Sequence, residues 1–405
     1  MRLHYLLLVL ILYFQISACR NSSENTKISI VNIEAENTQS DIDLKLSQLA
    51  DSFRLVLLET TNECLLDNNT EFYVGKSYIL AYGKSGVYKF STDGKFVKKL
   101  FGSGRGPDEF THLTLCIFVV DEKKDILYIN DQIRQGVYLR YDLKSEQFLE
   151  PIKQCFPAFG FFYIYSDSLI IASNLLQTSN YSVFIQNLKG KFVSGITNPK
   201  KYLSGQKETL QNGRLIKSDS TFYYYFDYDD TLFKIKENKL IPFLALNFKT
   251  PRDDPPKDIS SVGDRFIIYQ PGAPGFIIIC IRIIEDVNLY RIGRPGGEKA
   301  YYMLLNNSTG IASRINSYTD NFIGESKDAF ALSHLDPYYP FFLTLLSDKK
   351  LVMAYYKLQI ENAIEKGLNY KDFPVRINEQ LIKLNENLQE TDNPILLIGR
   401  TKDII

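Results

Sequence analysis

Tryptophan is missing altogether from these 405 residues, histidine and methionine occur three times each, and cysteine five times. Each shortage closes off some chemistry. His4 lies in an apolar N-terminal stretch, which leaves only His112 and His334 for proton transfer or metal binding. Neither stands in an H-E-x-x-H or G-x-S-x-G setting, so no catalytic residue and no metal ligand is assigned. Cys64, Cys116, Cys155 and Cys280 are too widely and irregularly spaced for a zinc knuckle, and they do not indicate a disulfide framework. Cys116 in LTLCIFVV and Cys280 in FIIICIRII read as buried free thiols. Charge of one sign is also lacking: 47 basic side chains face 47 acidic ones, which excludes the cationic surface that nucleic acid demands. No cofactor-binding fingerprint is present, and none is expected to be needed. The missing tryptophan removes the ring that stacks best on sugars, although 27 tyrosines and 27 phenylalanines remain.

Long apolar runs are absent except at the start. MRLHYLLLVLILYFQISAC has basic Arg2, an apolar core from Tyr5 to Phe14, and small Ser17 and Ala18 before Cys19. That core is shorter than the ~20 residues a spanning helix needs, so residues 1–19 read as a cleaved export signal. Ile16-Ser17-Ala18-Cys19 resembles the bacterial lipobox, whose cysteine is acylated and becomes the new N-terminus. The expectation is a lipid anchor at Cys19 in a cell membrane, the outer membrane for preference, facing the periplasm or the surface. The polar stretch RNSSENTK opens a tether over residues 20–48, and a folded domain follows over residues 49–405.

What the chain has in abundance is hairpins. VYKFSTDGKFVKKL, VYLRYDLKSEQFLEPI, YSVFIQNLKGKFVSGI, TLFKIKENKLIPFLAL and, more loosely, YYMLLNNSTGIASRI each hold an aromatic or β-branched run, a polar turn and a second run. The first apolar residues after the turns are Phe96, Phe148, Phe192, Leu240 and Ile311, giving steps of 52, 44, 48 and 71 residues. Four-stranded propeller blades recur at about 40–50 residues. The long step is assigned to loop sequence from Pro251 to Gly275. DILYIND, FYIYSDSLIIAS and TFYYYFD supply companion strands. Helical spacing occurs only between Lys357 and Glu390, with Ile377, Leu381, Leu384 and Leu388 on one face, before a last strand in NPILLIGRTK. The fold class is therefore all-β, a six-bladed propeller of four-stranded antiparallel blades with a short helical segment before the last strand. A ring needs closing, and FRLVLLET (Phe53 to Thr60) and ILLIGRT (Ile395 to Thr401) are the strands expected to share a blade.

LLETTNECLL, VYKFSTDGKFVKKLFGSGRGPDEF, DTLFKI followed by LNF and a proline-rich loop, and LNENLQETDNPILLIGRTK together resemble the six-bladed β-propeller lipoproteins of Gram-negative bacteria, related in architecture to NHL-repeat propellers. The resemblance spans nearly all of the mature chain. GRGPDEF is its most specific segment, with Asp108 where a third glycine often stands. It implies fold, export and lipidation and carries no established activity.

GSGRGPDEF lacks the Lys-Ser/Thr of a phosphate loop and does not open a helix, so it reads as a crossover between blades. Its glycines are expected to supply positive φ, and Arg105 to pair with Asp108 or Glu109 or to meet a ligand at the propeller face. Asp227, Asp229 and Asp230 in FDYDDT read as a polar turn, since the glycine and distal glutamate of a calcium loop are missing. Tyr338 and Tyr339 in DPYYP are candidates for a ligand mouth. Two functional classes follow: non-catalytic capture of a protein, peptide or glycan by a membrane-held propeller, or a lyase or hydrolase with its site at the central funnel.

Overall fold

TFYYYF, from Thr221, is apolar at nearly every position because both of its faces are covered. Tyr223 and Tyr225 enter one hydrophobic core while Phe222, Tyr224 and Phe226 enter another, as alternation along a strand between two packed sheets requires. The same logic runs through the whole chain. The computed structural model describes residues 28–33, 42–67, 70–106, 109–110, 113, 116–131, 133, 136–156, 160–173, 180–197, 213–218, 220–226, 229–248, 265–271, 276–284, 298–323, 325–328, 344–346, 350–368 and 372–402.

Their strands form six sheets. In sheet 1 the order is Glu71–Val74, Tyr78–Gly83, Gly86–Ser91 and Phe96–Ser103, with Glu109–Phe110 added at the edge. Sheet 2 holds Cys116–Asp121, Ile126–Asp131, Val137–Asp142 and Gln147–Lys153. Sheet 3 holds Phe162–Ser166, Leu169–Ser173, Tyr181–Asn187 and Phe192–Thr197. Sheet 4 holds Gly213–Ser218, Thr221–Phe226, Thr231–Lys236 and Lys239–Asn247. Sheet 5 is built on Arg265–Pro271, Phe276–Ile284, Glu298–Asn306 and Ala312–Asp320. These five arise from consecutive antiparallel strands, the four-stranded blades of a β-propeller. Sheet 6 joins the two ends of the chain, in the order Thr344–Leu346, Lys350–Tyr355, Ile395–Thr401 and Ala50–Leu57.

The pairing expected between the ends is formed. Ile395 faces Leu57, Leu396 faces Val56 and Leu397 faces Leu55. Asn393, just before this strand, is buried and holds the chain that leads into sheet 1. Its side-chain amide donates to the carbonyls of Glu59 (2.8 Å) and Cys64 (2.7 Å), and its Oδ1 accepts from the Leu66 amide (2.9 Å). The hydrophobic cores lie between successive sheets: 1 and 2, 2 and 3, 3 and 4, 4 and 5, 5 and 6, and 6 and 1.

The repeated motif is the third and fourth strand of a blade, and its polar turn does more than reverse the chain. Each such tip leans on the preceding sheet. Gly94 O accepts from the Glu59 amide (2.8 Å) and Thr92 O from Arg54 (2.9 Å). Glu146 meets Lys98 (3.0 Å), Asn238 accepts from Ser194 Oγ (3.2 Å), and Asn307 donates to Ser218 Oγ (3.0 Å). Gly94 must be glycine here, since its φ is +90° and a Cβ would run into the Leu57 carbonyl.

Three expectations need correction. The tether read over residues 20–48 contains two strands, Ser29–Asn32 and Ile42–Lys45, paired in parallel with the outer strands of sheets 4 and 5. Val31, Ile33 and Leu44 are buried, and the period-two alternation in ISIVNI and IDLKL is what drives them there. The stretch from Pro251 to Gly275 is not loop throughout, because Arg265–Pro271 is a strand registered against Phe276–Ile284. The C-terminal helical segment is two helices, Lys357–Lys366 and Val375–Asn385. Gly367, at φ +86°, ends the first, and Pro374 cannot continue it but suits the start of the second. Ile377, Leu381 and Leu388 then pack into the core between sheets 5 and 6. Among the described residues no helix is long and apolar enough to cross a membrane.

Candidate functional site

Antiparallel alternation sorts the connections to two ends. Turns between first and second strands and between third and fourth strands share one end. Turns between second and third strands share the other with the crossovers from one sheet to the next. At the first end several turn charges of sheets 1 and 2 are paired: Lys89 and Lys98 hold Glu146 at 3.3 and 3.0 Å, Lys124 holds Asp121 at 3.7 Å, and the Lys76 amide donates to Glu122 (2.7 Å). Such satisfied groups stabilise turns and offer little to a ligand. The second end carries the crossover from Leu58 to Thr70, the GSGRGPDEF crossover and both C-terminal helices.

At this second end an acid has no hydrogen bond or ion pair among the described residues. Glu71 opens the innermost strand of sheet 1 and lies directly across from Tyr82. Alternation sends Phe72 and Val74 toward sheet 6 and Tyr73 toward sheet 2, so Glu71 and Tyr82 share the face turned to sheet 2. Phe118, from the innermost strand of sheet 2, stacks on Tyr82 with ring centroids 4.7 Å apart and planes 15° apart. Glu71 reaches solvent, and among the described residues it has neither a hydrogen-bond donor nor a cation. It is nevertheless walled in, and the desolvation raises its carboxyl above the ordinary glutamate value. Desolvation, followed by the nearby Tyr73, Tyr78 and Glu71, likewise holds the Tyr82 phenol well above its usual range. A second carboxylate lies at the same end on the opposite face of the sheet: a Cβ on Gly83 would come within 3.2 Å of Asp67, whose Oδ2 accepts from the Lys84 amide (3.1 Å). The Asp67 carbonyl accepts from the Tyr356 hydroxyl (2.8 Å), which ties the helical insertion to this rim. Burial pushes that phenol up to about 12. Acid beside stacked rings can accept hydrogen bonds from a ligand, pair with a cation, or donate when protonated.

A family model described as a domain of unknown function, DUF4934, matches residues 28–400. The chain belongs to that family. The matched span starts at the first strand on the rim of sheet 4 and ends in the strand that closes sheet 6. Among solved structures, a protein from Bacteroides fragilis NCTC 9343 designated as exported is 16% identical. That alignment covers 93% of this chain and all of that one, with a TM-score of 0.59, a likeness of fold. Hydrazine synthase of Kuenenia stuttgartiensis is 8% identical over 84% of this chain and 90% of that chain, with a TM-score of 0.38. The WD40 β-propeller domain of Doa1 is 13% identical over 64% and 71%, with a TM-score of 0.32. No curated protein matches the chain.

The residues singled out from sequence fall in four groups. In GSGRGPDEF, Gly104–Gly106 bend after the last strand of sheet 1 and Glu109–Phe110 return parallel to it. Phe110 is buried edge-on against Phe101, the Gly104 amide donates to the Phe110 carbonyl (3.0 Å), and the Gly106 amide donates to the Glu109 carboxylate (2.8 Å). Arg105 stands exposed on the bend. The expected positive φ is absent at Gly102, Gly104 and Gly106; what the loop requires is room, since a Cβ on Gly104 would collide with the Glu109 carboxylate. Asp229 accepts from the Thr231 amide (3.1 Å) in the turn from sheet 4's second strand to its third. Cys19, Asp108, His112, Asp227, His334, Tyr338 and Tyr339 lie outside the described residues. No disulfide joins Cys64, Cys116, Cys155 or Cys280; Cys280 is buried as expected, Cys116 is only half-buried, and burial pushes the Cys155 thiol up to about 11. Sequence reading missed Glu71, Tyr82 and Phe118. The one signal was an acid opening an otherwise apolar strand, EFYV.

Proposed function

We propose that this chain is an exported lipoprotein, anchored through Cys19 in the outer membrane, whose six-bladed NHL-like propeller captures a protein, peptide or glycan without transforming it. Counting the sheet shared by the two chain ends as the sixth blade accords with the six inter-sheet cores, which follow one another around a ring. Export agrees with the N-terminal sequence and with the designation of the Bacteroides fragilis protein of like fold. Capture rests on the Glu71 carboxyl, unpartnered among the described residues and set beside the Tyr82–Phe118 stack at the end that carries the crossovers. No group of three potential metal ligands occurs among the described residues. In the same reading GSGRGPDEF is a crossover staple closed by Glu109, with Arg105 exposed on the bend.

A raised carboxyl also suits a general acid, and one experiment separates the two roles. Saturation-transfer NMR of the wild type, Glu71→Gln and Phe118→Ala is run against an N-acetylglucosamine disaccharide and a tetrapeptide carrying one lysine. Capture predicts that whichever probe binds loses about tenfold in affinity in both variants while both stay folded at the assay temperature. Binding that both variants retain puts the site elsewhere. A new product from either probe, lost in Glu71→Gln, would make the protein an enzyme.

A further inference from the structure

Two facing walls meet where sheets 1 and 2 reach the crossover end. From sheet 1 come Glu71 and Tyr82, directly across from each other and therefore on one face. From sheet 2 come Cys116 and Phe118, alternate residues of the innermost strand that both pack toward sheet 1, and Asp131, directly across from Cys116. The Tyr82–Phe118 stack joins the two walls. The two carboxylates differ in how they are held. Asp131 is buried, and its Oδ1 accepts from the Ile133 amide (2.9 Å). Glu71 reaches solvent between the walls and meets neither donor nor cation among the described residues. Folding gives Asp131 a use and leaves Glu71 without one.

Three kinds of ligand group could satisfy that carboxylate. An inorganic cation needs several oxygen ligands together, and no group of three potential metal ligands occurs among the described residues. A neutral hydroxyl can donate a hydrogen bond but leaves the charge uncompensated in a partly desolvated site. An organic cation uses both features at once, since its charge pairs with the carboxylate while its apolar stem lies along the rings, whose faces attract it. We infer that this site takes a protonated amine or a guanidinium on an aliphatic stem, as a lysine or arginine side chain presents, with Glu71 as counter-ion and the Tyr82–Phe118 stack as platform. The inference rests on the capture reading above and narrows its ligand. It also makes binding compete with protonation: a protonated Glu71 offers no charge, so affinity falls as pH falls through the native value of its carboxyl, which desolvation raises. The other titratable groups on these walls are Tyr73, Tyr78 and Tyr82 of sheet 1 and Cys116 and Asp131 of sheet 2. Desolvation keeps the Tyr78 and Tyr82 phenols protonated. Asp67 stands at the same end on the opposite face of sheet 1, with Lys84 on the turn beside it.

The probes are a tetrapeptide capped at both ends, so that its one lysine carries the only charge, and the same peptide with that lysine acetylated. Calorimetric titrations of the full chain are run between about pH 4.5 and about pH 7.5, a range that spans a raised carboxyl. At the upper pH the wild type is expected to bind the charged peptide about tenfold more tightly than the acetylated one, and the preference should shrink toward the lower pH. In Glu71→Gln both the preference and its pH dependence should vanish; because that variant keeps Asp67, Cys116 and Asp131, the loss assigns the titration to Glu71. In Phe118→Leu both peptides should weaken while the pH dependence survives. A charged peptide bound no more tightly than its acetylated form, or not bound at all, overturns the inference, and so does a preference that Glu71→Gln retains. Binding of the acetylated peptide or of the N-acetylglucosamine disaccharide that depends on both Glu71 and Phe118 would overturn the cation alone and leave capture standing. Absence of any binding that depends on Glu71 removes both.

Discussion

Glu109 shows how one side chain can set the sequence of a whole loop. Its carboxylate occupies the space a side chain at position 104 would need and takes the Gly106 amide, so the two glycines differ in consequence although neither adopts a positive φ. Gly104→Ala would push the flexible end of Glu109 aside and forfeit its bond to the Gly106 amide, so it should cost about 1 kcal/mol, whereas Gly106→Ala, whose Cβ would come no nearer than 3.1 Å, should cost less; thermal melts of the two variants compare them directly. Glu71 makes a prediction about pH. Desolvation raises its native carboxyl above the unfolded value near ~4.3, so its contribution is fully present below that pH and is lost as pH rises through the native value. Glu71→Gln should therefore melt at or above the wild type at pH 7, with the difference closing by about pH 4; a variant less stable at neutral pH would mean that the charged carboxylate is favoured where it sits. Neither residue could be weighted from sequence. GSGRGPDEF was conspicuous by composition, yet its dependence on Glu109 is a matter of distance. Glu71 depends on Tyr82 and Phe118, neighbours in space that lie on two other strands.

The elements were more legible than their companions. Hairpins announce themselves by two apolar runs around a polar turn, and the five found by that rule are the third and fourth strands of sheets 1 to 5. The first strands are weaker signals, being short and half exposed like CIFVVD, and the two rim strands were hidden by polar neighbours despite clean alternation. The strand Ile395–Thr401 is the element on which most depends. It lies between Lys350–Tyr355 and Ala50–Leu57, and Ile395, Leu396, Leu397 and Ile398 are buried on its two faces. Deleting residues 391–405 removes it together with Asn393, and leaves Ala50–Leu57 without a neighbour in sheet 6. The truncated protein should aggregate or melt well below the parent. Light scattering through a thermal ramp measures both, and an unchanged transition would show that sheet 6 does not depend on this strand.

At the scale of the molecule the N-terminal segment follows the rim in order. Residues 29–32 join sheet 4, residues 42–45 join sheet 5, and residues 50–57 complete sheet 6. The ring was legible from period and end-pairing, and this path was not, because a parallel edge strand leaves no turn in the sequence to mark it. The path has a mechanical consequence under the N-terminal anchor proposed above. Tension arriving from that end meets the four registered pairs on sheet 4 first, then the four on sheet 5, before any load reaches the junction of the two chain ends. The rim strands thus serve as strain relief, as a clamp does on a cable: a tug can peel the clamp while the joint behind it stays closed.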